Sequence, residues 1–376
     1  MIVPTKKLLS YSLLSLSSVL LLSMGSVRAQ APAAVTPASP PQAATAPDEQ
    51  VQELLKEAQK LLDTQDLAGA ISVYQQAALL DQKNARIQSG IGFLQASRGN
   101  FEAALQAFQR AVELDPKNAD FHYGLGFSWA SLNSTNQAIA AYRQAIQLNP
   151  RHINAYFALG ALLARAGQFD DGLKAYQQVL TVDKQNARAL EMMGLLLLQQ
   201  DRPQDALKPL QTAARLASRQ ASIQVNLGAT WLGLGNLDNG LAAFRRATQL
   251  AARDGDLQLQ IGKILTAKGQ YSEALRALRR ATSLKVGLTE AYALMGDIYL
   301  ERQDYPSAVI TYRQYITMVP QDSVGYYKLA KALKASDRKT EALSTLKLAQ
   351  QLAQQSNSDE VKKEVENLIN QIKQSP

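Results

Sequence analysis

Few side chains in this 376-residue sequence could support catalysis. Cysteine is absent, which excludes disulfides, thiolate metal sites and cysteine nucleophiles. The two histidines, His122 and His152, come without a third imidazole or carboxylates at ligand spacing, so the sequence predicts no metal site. It contains neither a glycine-rich phosphate loop nor a GxSxG-type nucleophile turn. We therefore expect no cofactor and no enzymatic activity.

The side chains that could bind a partner fall into two sets. Seven aromatic or aliphatic residues recur over the middle of the chain: Phe93, Tyr123, Phe127, Phe157, Leu195, Leu198 and Leu232. A lysine row follows near the C-terminal end, at Lys328, Lys331 and Lys334. Apolar side chains that share an exposed face indicate a docking surface for a protein, and a basic row suits an acidic tail or a phosphate. The helices that carry each set decide whether its members share a face.

A 34-residue period organises the chain from Val51 onwards. A large apolar residue followed by glycine recurs at this spacing seven times, beginning with Gly92. Twelve residues later comes a small residue, such as Ala104, and four further on a large one, such as Phe108. Nine repeats follow without insertion or deletion: 51–84, 85–118, 119–152, 153–186, 187–220, 221–254, 255–288, 289–322 and 323–356.

Each repeat predicts two amphipathic helices, because its apolar residues recur at intervals of three and four. Dipeptides such as Gly99-Asn100 indicate the turn between the helices. The small residues let the two helices approach closely, and we expect the large residue to fill the space toward the next repeat. A single repeat cannot bury its apolar faces alone, so stability should come from stacking. An apolar stripe within residues 357–376 predicts a capping helix and tail after the last repeat.

This pattern resembles the tetratricopeptide repeat, and the resemblance covers about four-fifths of the chain. The resemblance implies an all-α fold: an α-solenoid, wound as a right-handed superhelix of nine helix-turn-helix repeats and closed by the C-terminal capping helix. It also implies a concave groove, lined by the first helices of the repeats, in which family members bind their ligands. The lysine and asparagine set with which some members bind a C-terminal carboxylate is not recognisable here.

At 100° per residue, the positions two before and two after the apolar member of each apolar-glycine pair point away from the packing face. The seven apolar residues follow this face through repeats two to six, and charged residues replace them from repeat seven onwards. We predict that a helix or an extended apolar peptide of a protein partner lies along repeats two to six. The alternative is that these side chains pack inside the groove against neighbouring helices. For the lysine row, the alternative to an acidic partner is a solvated surface.

The N-terminus predicts export. Lys6 and Lys7 precede an apolar, serine-rich run that ends near Met24, and Ala29 supplies a small residue after it. This order resembles a secretory signal peptide over residues 1–29, and we expect cleavage after Ala29. An uncleaved signal anchor is the alternative, and only then do we expect membrane contact. Either interpretation places the repeats outside the cytoplasm, in the periplasm or the extracellular space.

Residues 30–48 contain seven alanines, five prolines and a single charge, a composition typical of a disordered linker. The net charge of the whole chain is +8, and three of the basic residues lie in the predicted signal segment. Spread over a long rod, the remaining surplus is too dilute to predict a polyanionic partner.

The sequence therefore predicts a non-catalytic scaffold or adaptor in the cell envelope that aids assembly of an envelope or membrane complex. A periplasmic adaptor of a cell-wall or exopolysaccharide system is the alternative. A second alternative is a helical repeat that binds RNA. Aromatic and basic residues are segregated in this chain, whereas RNA-binding repeats interleave them, so we expect no nucleic-acid partner.

Overall fold

The computed structural model describes residues 46–374, and within them it contains nineteen α-helices and no strand. The predicted signal peptide and nearly all of the predicted linker lie outside the described residues. The prediction of an all-α solenoid built from paired helices is confirmed. The described residues fall into two compact parts, an N-terminal half that ends at Leu216 and a C-terminal half that begins at Ala217.

The N-terminal half contains repeats one to five. Its helices are α1 (Ala46–Asp63), α2 (Leu67–Leu80), α3 (Ala85–Ser97), α4 (Phe101–Leu114), α5 (Ala119–Ser131), α6 (Thr135–Leu148), α7 (Ile153–Arg165), α8 (Phe169–Val182), α9 (Ala187–Gln199) and α10 (Pro203–Leu216). Helix α1 begins at Ala46, so residues 46–48, which the sequence assigns to the linker, form its first turn. Proline is well suited to a first turn, where its missing N–H needs no partner, and Pro47 lies there.

The C-terminal half contains repeats six to nine and a final helix. Its helices are α11 (Ala221–Gly233), α12 (Leu237–Leu250), α13 (Gly255–Ala267), α14 (Tyr271–Leu284), α15 (Thr289–Glu301), α16 (Tyr305–Met318), α17 (Ser323–Ala335), α18 (Lys339–Gln355) and α19 (Asp359–Gln374). Helix α19 packs on α17 and α18 and buries Val361, Val365, Leu368 and Ile372. Among the described residues, none of the helices combines the length and the apolar character that crossing a bilayer requires.

Within each half, every helix packs against the next one along the chain. The apolar-glycine pair permits this close approach. A Cβ built on Gly92 would lie 2.9 Å from the ring of Phe108, and one on Gly228 would lie 2.7 Å from the ring of Phe244. Both rings come from the second helix of the same repeat and are fully buried. The ring of Phe108 also leaves no room for a Cβ on Gly124 in the next repeat, so it fills the space between repeats as the sequence predicts.

The turn between the two helices of each repeat holds one residue at positive φ, and this residue occupies the same position in all nine repeats. It is glycine in four of them: Gly99, Gly167, Gly235 and Gly269, with φ between 69° and 81°. The other five hold Gln65, Asn133, Asp201, Gln303 and Asp337, with φ between 55° and 62°. A side chain in this left-handed conformation costs roughly 1–2 kcal/mol. Asparagine and aspartate adopt this conformation more readily than most residues. At Gln65 and Gln303, where the residue type opposes the turn, the stacking of the repeats therefore imposes it.

Candidate protein-binding groove

Tyr123, on α5, is packed inside the N-terminal half. It is 2% exposed, and its ring centroid lies 5.7 Å from that of Tyr142 on α6 and 4.9 Å from that of His152. Burial raises the pKa of Tyr123 to about 12, so its phenol is neutral at physiological pH. The residue therefore belongs to the core that joins α5, α6 and α7.

His152 packs at one side of this aromatic cluster and is the N-cap residue of helix α7. Its Nδ1 accepts a hydrogen bond of 3.1 Å from the backbone N–H of Ala155, which assigns the proton of a neutral ring to Nε2. Nε2 lies 3.1 Å from a carboxylate oxygen of Asp120, a contact with the distance of a hydrogen bond but not its angle. The contact with His152 lowers the pKa of Asp120. His152 thus acts as a helix cap and joins repeats three and four.

Phe157, on α7, is also largely buried, at 7% exposure. Its ring centroid lies 5.7 Å from that of Tyr176, and the guanidinium carbon of Arg188 lies 4.7 Å from the Phe157 centroid. This cation–π contact joins repeats four and five. Arg188 is half-buried and does not belong to the residues that the sequence predicts for the groove. No periodic signal marks it, because its partners are thirty or so residues away along the chain.

The seven apolar residues of the predicted groove therefore differ in exposure. Tyr123, Phe157 and Leu195 are buried. Their side chains pack against neighbouring helices, which is the alternative that the sequence left open. This corrects the expectation that the whole set faces an open groove. Four residues stay partly exposed: Phe93, Phe127 and Leu198 in the N-terminal half, and Leu232 in the C-terminal half.

Phe93 and Phe127 hold the same position in repeats two and three, and both rest on the cluster around Phe108. The ring of Phe127 meets that of Phe101 edge to face, with centroids 6.2 Å apart. The corresponding position in the following repeats holds Ala161, Leu195, Ala229, Lys263, Asp297 and Lys331. Since the same position accepts alanine, lysine and aspartate, the fold itself does not require phenylalanine there.

In the C-terminal half, ion pairs join successive first helices on this face. Lys263 of α13 lies 2.7 Å from Glu290 of α15, and Lys328 of α17 lies 2.6 Å from Asp297 of α15. The hydroxyl of the buried Tyr312 donates a further bond to Asp297. Burial raises the pKa of Tyr312, and the Asp297 carboxylate raises it further. The charged residues here thus serve largely to hold the helices together.

The lysine row does not form a continuous open patch. Lys328 is occupied by Asp297, and Lys334 donates a hydrogen bond of 2.7 Å to Gln371 on the final helix. Lys331 is exposed. Of these three lysines, Lys331 is therefore the one whose charge faces solvent and does not join two helices. Within residues 46–374, histidine and carboxylate side chains form no group of three or more that could hold a metal ion.

Comparison with known proteins agrees with the paired-helix geometry. A TPR-repeat family model matches residues 95–130 and 128–167, and a tetratricopeptide-repeat model matches residues 157–221, 191–256 and 259–323. Together these matches span more than half of the chain. The chain belongs to the tetratricopeptide-repeat family. Proteins built from tetratricopeptide repeats are in general non-catalytic scaffolds for protein–protein interaction, and the fold indicates such a scaffold here.

Two further similarities concern parts of this tetratricopeptide-repeat protein. A TPR repeat-containing protein from Picosynechococcus sp. (strain PCC 7002) is 39% identical over 66 residues, which are 18% of this chain and 17% of that relative. The crystal structure of a tetratricopeptide repeat protein from Parabacteroides merdae covers 67% of this chain and 99% of its own, with 17% identity and a TM-score of 0.50. The structural likeness concerns the fold alone.

Proposed function

We propose that this tetratricopeptide-repeat protein is an exported, non-catalytic scaffold of the cell envelope. It binds a helix or an extended peptide of a partner protein along the first helices of its N-terminal half, and thereby aids assembly of an envelope or membrane complex. The proposal of export rests on the signal-like order of residues 1–29.

The partly exposed pair Phe93 and Phe127 carries the proposal of a protein partner. Aromatic side chains are enriched at the centres of protein interfaces, because they bury a large area at a small cost in side-chain entropy. Both rings are supported from below by the cluster around Phe108, so they are held in place before a partner arrives. A preformed anchor of this kind lowers the entropic cost of binding.

The docking mode follows from the spacing of the repeats. Apolar surface is exposed on several first helices of the N-terminal half. Phe93 on α3 and Phe127 on α5 belong to successive repeats, and Leu198 on α9 lies two repeats further on. A partner segment that runs across these helices would meet the two aromatic anchors first and the leucine further along. A partner helix or an extended segment can contact such a row of anchors along its length.

A site-specific photocrosslink in the native cells tests this proposal. A photoreactive phenylalanine analogue is introduced at Phe127, and a matched control carries it at Gln147, an exposed residue of the second helix α6. We expect an envelope protein to be crosslinked from position 127 and not from position 147. An absence of adducts at position 127, or the same adduct from both positions, would contradict the proposed groove. The identity of the adduct separates assembly of a membrane complex from an adaptor of a cell-wall or exopolysaccharide system.

Sequencing the N-terminus of the mature protein tests export separately. We expect the mature chain to begin at Gln30, directly after the small residue Ala29. A mature N-terminus at Met1 would contradict the proposed cleavage, whatever the crosslinking experiment shows.

A further inference from the structure

A cleft of about 280 Å³ lies in the C-terminal half, between the second helices of repeats six and seven. Helices α12 and α14 form its walls, and α13 forms its floor. Its lining residues are Arg245, Thr248, Gln258, Ile261, Leu265, Glu273, Arg276, Ala277 and Arg280. The cleft is therefore separate from the face of the first helices on which the predicted groove lies.

The cleft carries an uncompensated positive charge. Arg245 on α12 pairs with Glu273 on α14 at 3.0 Å, which satisfies the single carboxylate of the lining. Within residues 46–374, neither Arg276 nor Arg280 forms an ion pair with a carboxylate, and the one acidic residue of the lining is taken by Arg245. They are four residues apart on α14, so their side chains lie next to each other on one edge of the helix. Both are exposed and line the same cleft.

The surrounding sequence adds to the positive charge of the cleft. Residues 217–376 contain 21 basic and 15 acidic residues, whereas residues 30–216 contain 16 basic and 17 acidic ones. Most of the surplus of the C-terminal half lies in residues 238–290, with nine basic and five acidic side chains. The positive charge is thus not spread evenly along the chain, contrary to the expectation from the overall composition. A concentrated field attracts and steers an oppositely charged partner.

The fold does not require the arginine pair. The same two positions hold Ile310 and Gln314 in repeat eight, and Ser344 and Leu348 in repeat nine. All four of these residues are exposed, as the arginines are. Each of the other repeats has at most one arginine at these two positions, and only repeat seven has both. Packing therefore leaves these positions open to other residue types, and binding is the function that two adjacent arginines suit.

We propose that this cleft binds an acidic segment of a partner protein, with its carboxylates on Arg276 and Arg280. Guanidinium groups bind carboxylates through paired hydrogen bonds, which two adjacent and exposed arginines can provide. A nucleic acid fits less well, because none of the lining residues is an aromatic on which a base could stack. A bilayer surface fits less well, because the site is a cleft between two helices.

Fluorescence anisotropy with the purified full chain tests the cleft. The probe is a short fluorescein-labelled peptide of glutamate and leucine, and its counterpart has glutamine in place of every glutamate. We expect the glutamate peptide to bind and the glutamine peptide to bind at least tenfold more weakly. Arg276→Ala with Arg280→Ala should weaken the glutamate peptide at least tenfold, because two charge-assisted contacts are lost. The more conservative pair R276Q and R280Q should have a similar effect.

The control removes the same charge elsewhere in the same half. Lys347 and Lys363 are exposed residues of α18 and α19, and the double variant K347A and K363A should bind the glutamate peptide within twofold of the unaltered chain. Circular dichroism confirms that all variants are folded. Equal losses in the arginine and lysine variants would overturn the proposal, as would equal binding of the two peptides. Tighter binding of single-stranded RNA or of phosphatidylglycerol vesicles, lost with the same arginines, would also overturn it.

Discussion

A reciprocal pair of substitutions in the turns of repeats seven and eight tests how the stacked repeats impose their backbone. Gly269 has φ of 69°, and no atom lies within 4 Å of a Cβ built on it. Gln303 occupies the equivalent place in the next repeat at φ of 60°. Gly269→Ala therefore introduces strain without a steric clash, and Gln303→Gly relieves strain without removing a packed side chain.

The magnitudes follow from two opposing terms. A side chain in the left-handed region costs roughly 1–2 kcal/mol in the folded state. Replacing glycine by alanine also lowers the entropy of the unfolded chain, which stabilises the protein by roughly 0.4–1 kcal/mol. We therefore expect Gly269→Ala to destabilise the protein by about 1 kcal/mol and Gln303→Gly to stabilise it by a similar amount.

Two measurements detect these changes in stability. Urea unfolding followed by circular dichroism gives the shift of the midpoint, but a long repeat array can unfold in parts. Amide hydrogen exchange in α13 to α16 therefore supplies the local free energy of opening around each turn. The reasoning is refuted if the two substitutions change the stability in the same direction, or if Gly269→Ala leaves exchange in α13 and α14 unchanged.

Three further predictions concern packing and charge. Gly228→Ala brings a Cβ to within 2.7 Å of the Phe244 ring, and overpacking should destabilise the protein by about 1–3 kcal/mol, measured as a lower thermal midpoint. Asp297→Ala leaves the buried hydroxyl of Tyr312 without its acceptor and should cost about 1–3 kcal/mol in urea unfolding, whereas Asp297→Asn keeps an oxygen there and should cost less. The pKa of Asp120 is lower in the folded protein, so its stabilising contribution is present above pH ~4 and is lost as the pH falls; thermal midpoints of Asp120→Asn should depend less on pH in this acidic range.

The sequence predicts the paired-helix fold well because the fold depends on local and periodic requirements. A small residue must face the large residue of the second helix, and this requirement appears directly as Gly92 and Phe108. The turn needs one residue at positive φ, and glycine reveals it in four of the nine repeats. In repeats that hold residues such as Gln303 at this position, only the 34-residue frame indicates the turn.

The exposure of the groove residues could be predicted only in part. A projection at 100° per residue gives the positions before and after the apolar-glycine pair the same exposure in every repeat, but in the structure their exposure differs from residue to residue. Tyr123 and Phe157 lie before the pair and lean onto aromatic rings of second helices, so they are buried. Phe93 and Phe127 lie after it and stay partly exposed, whereas Leu195, at the same position in repeat five, is fully buried. The direction in which a side chain leans depends on its neighbours in space, which the projection does not contain.

The contacts of the charged residues also cannot be predicted from the sequence. Arg188 lies over the ring of Phe157 from the next repeat, and Lys328 is held by Asp297 from the preceding one. Such pairs join residues about thirty positions apart, and a single sequence does not show which of several candidates meet. The identity of a partner, in contrast to its binding surface, depends on chemistry outside this chain.

The affinity of the crosslinked partner for the purified chain tests the central claim most directly. Isothermal titration compares the unaltered protein, the double variant F93A and F127A, and Ala161→Lys. The last variant places at the same position of repeat four the lysine that repeat seven already holds as Lys263, so the fold tolerates it while the groove gains a charge. We predict that the double variant weakens binding by at least tenfold and that Ala161→Lys weakens it too, with unchanged circular dichroism. Affinities within twofold of the unaltered protein for both folded variants would contradict the claim that this face binds the partner.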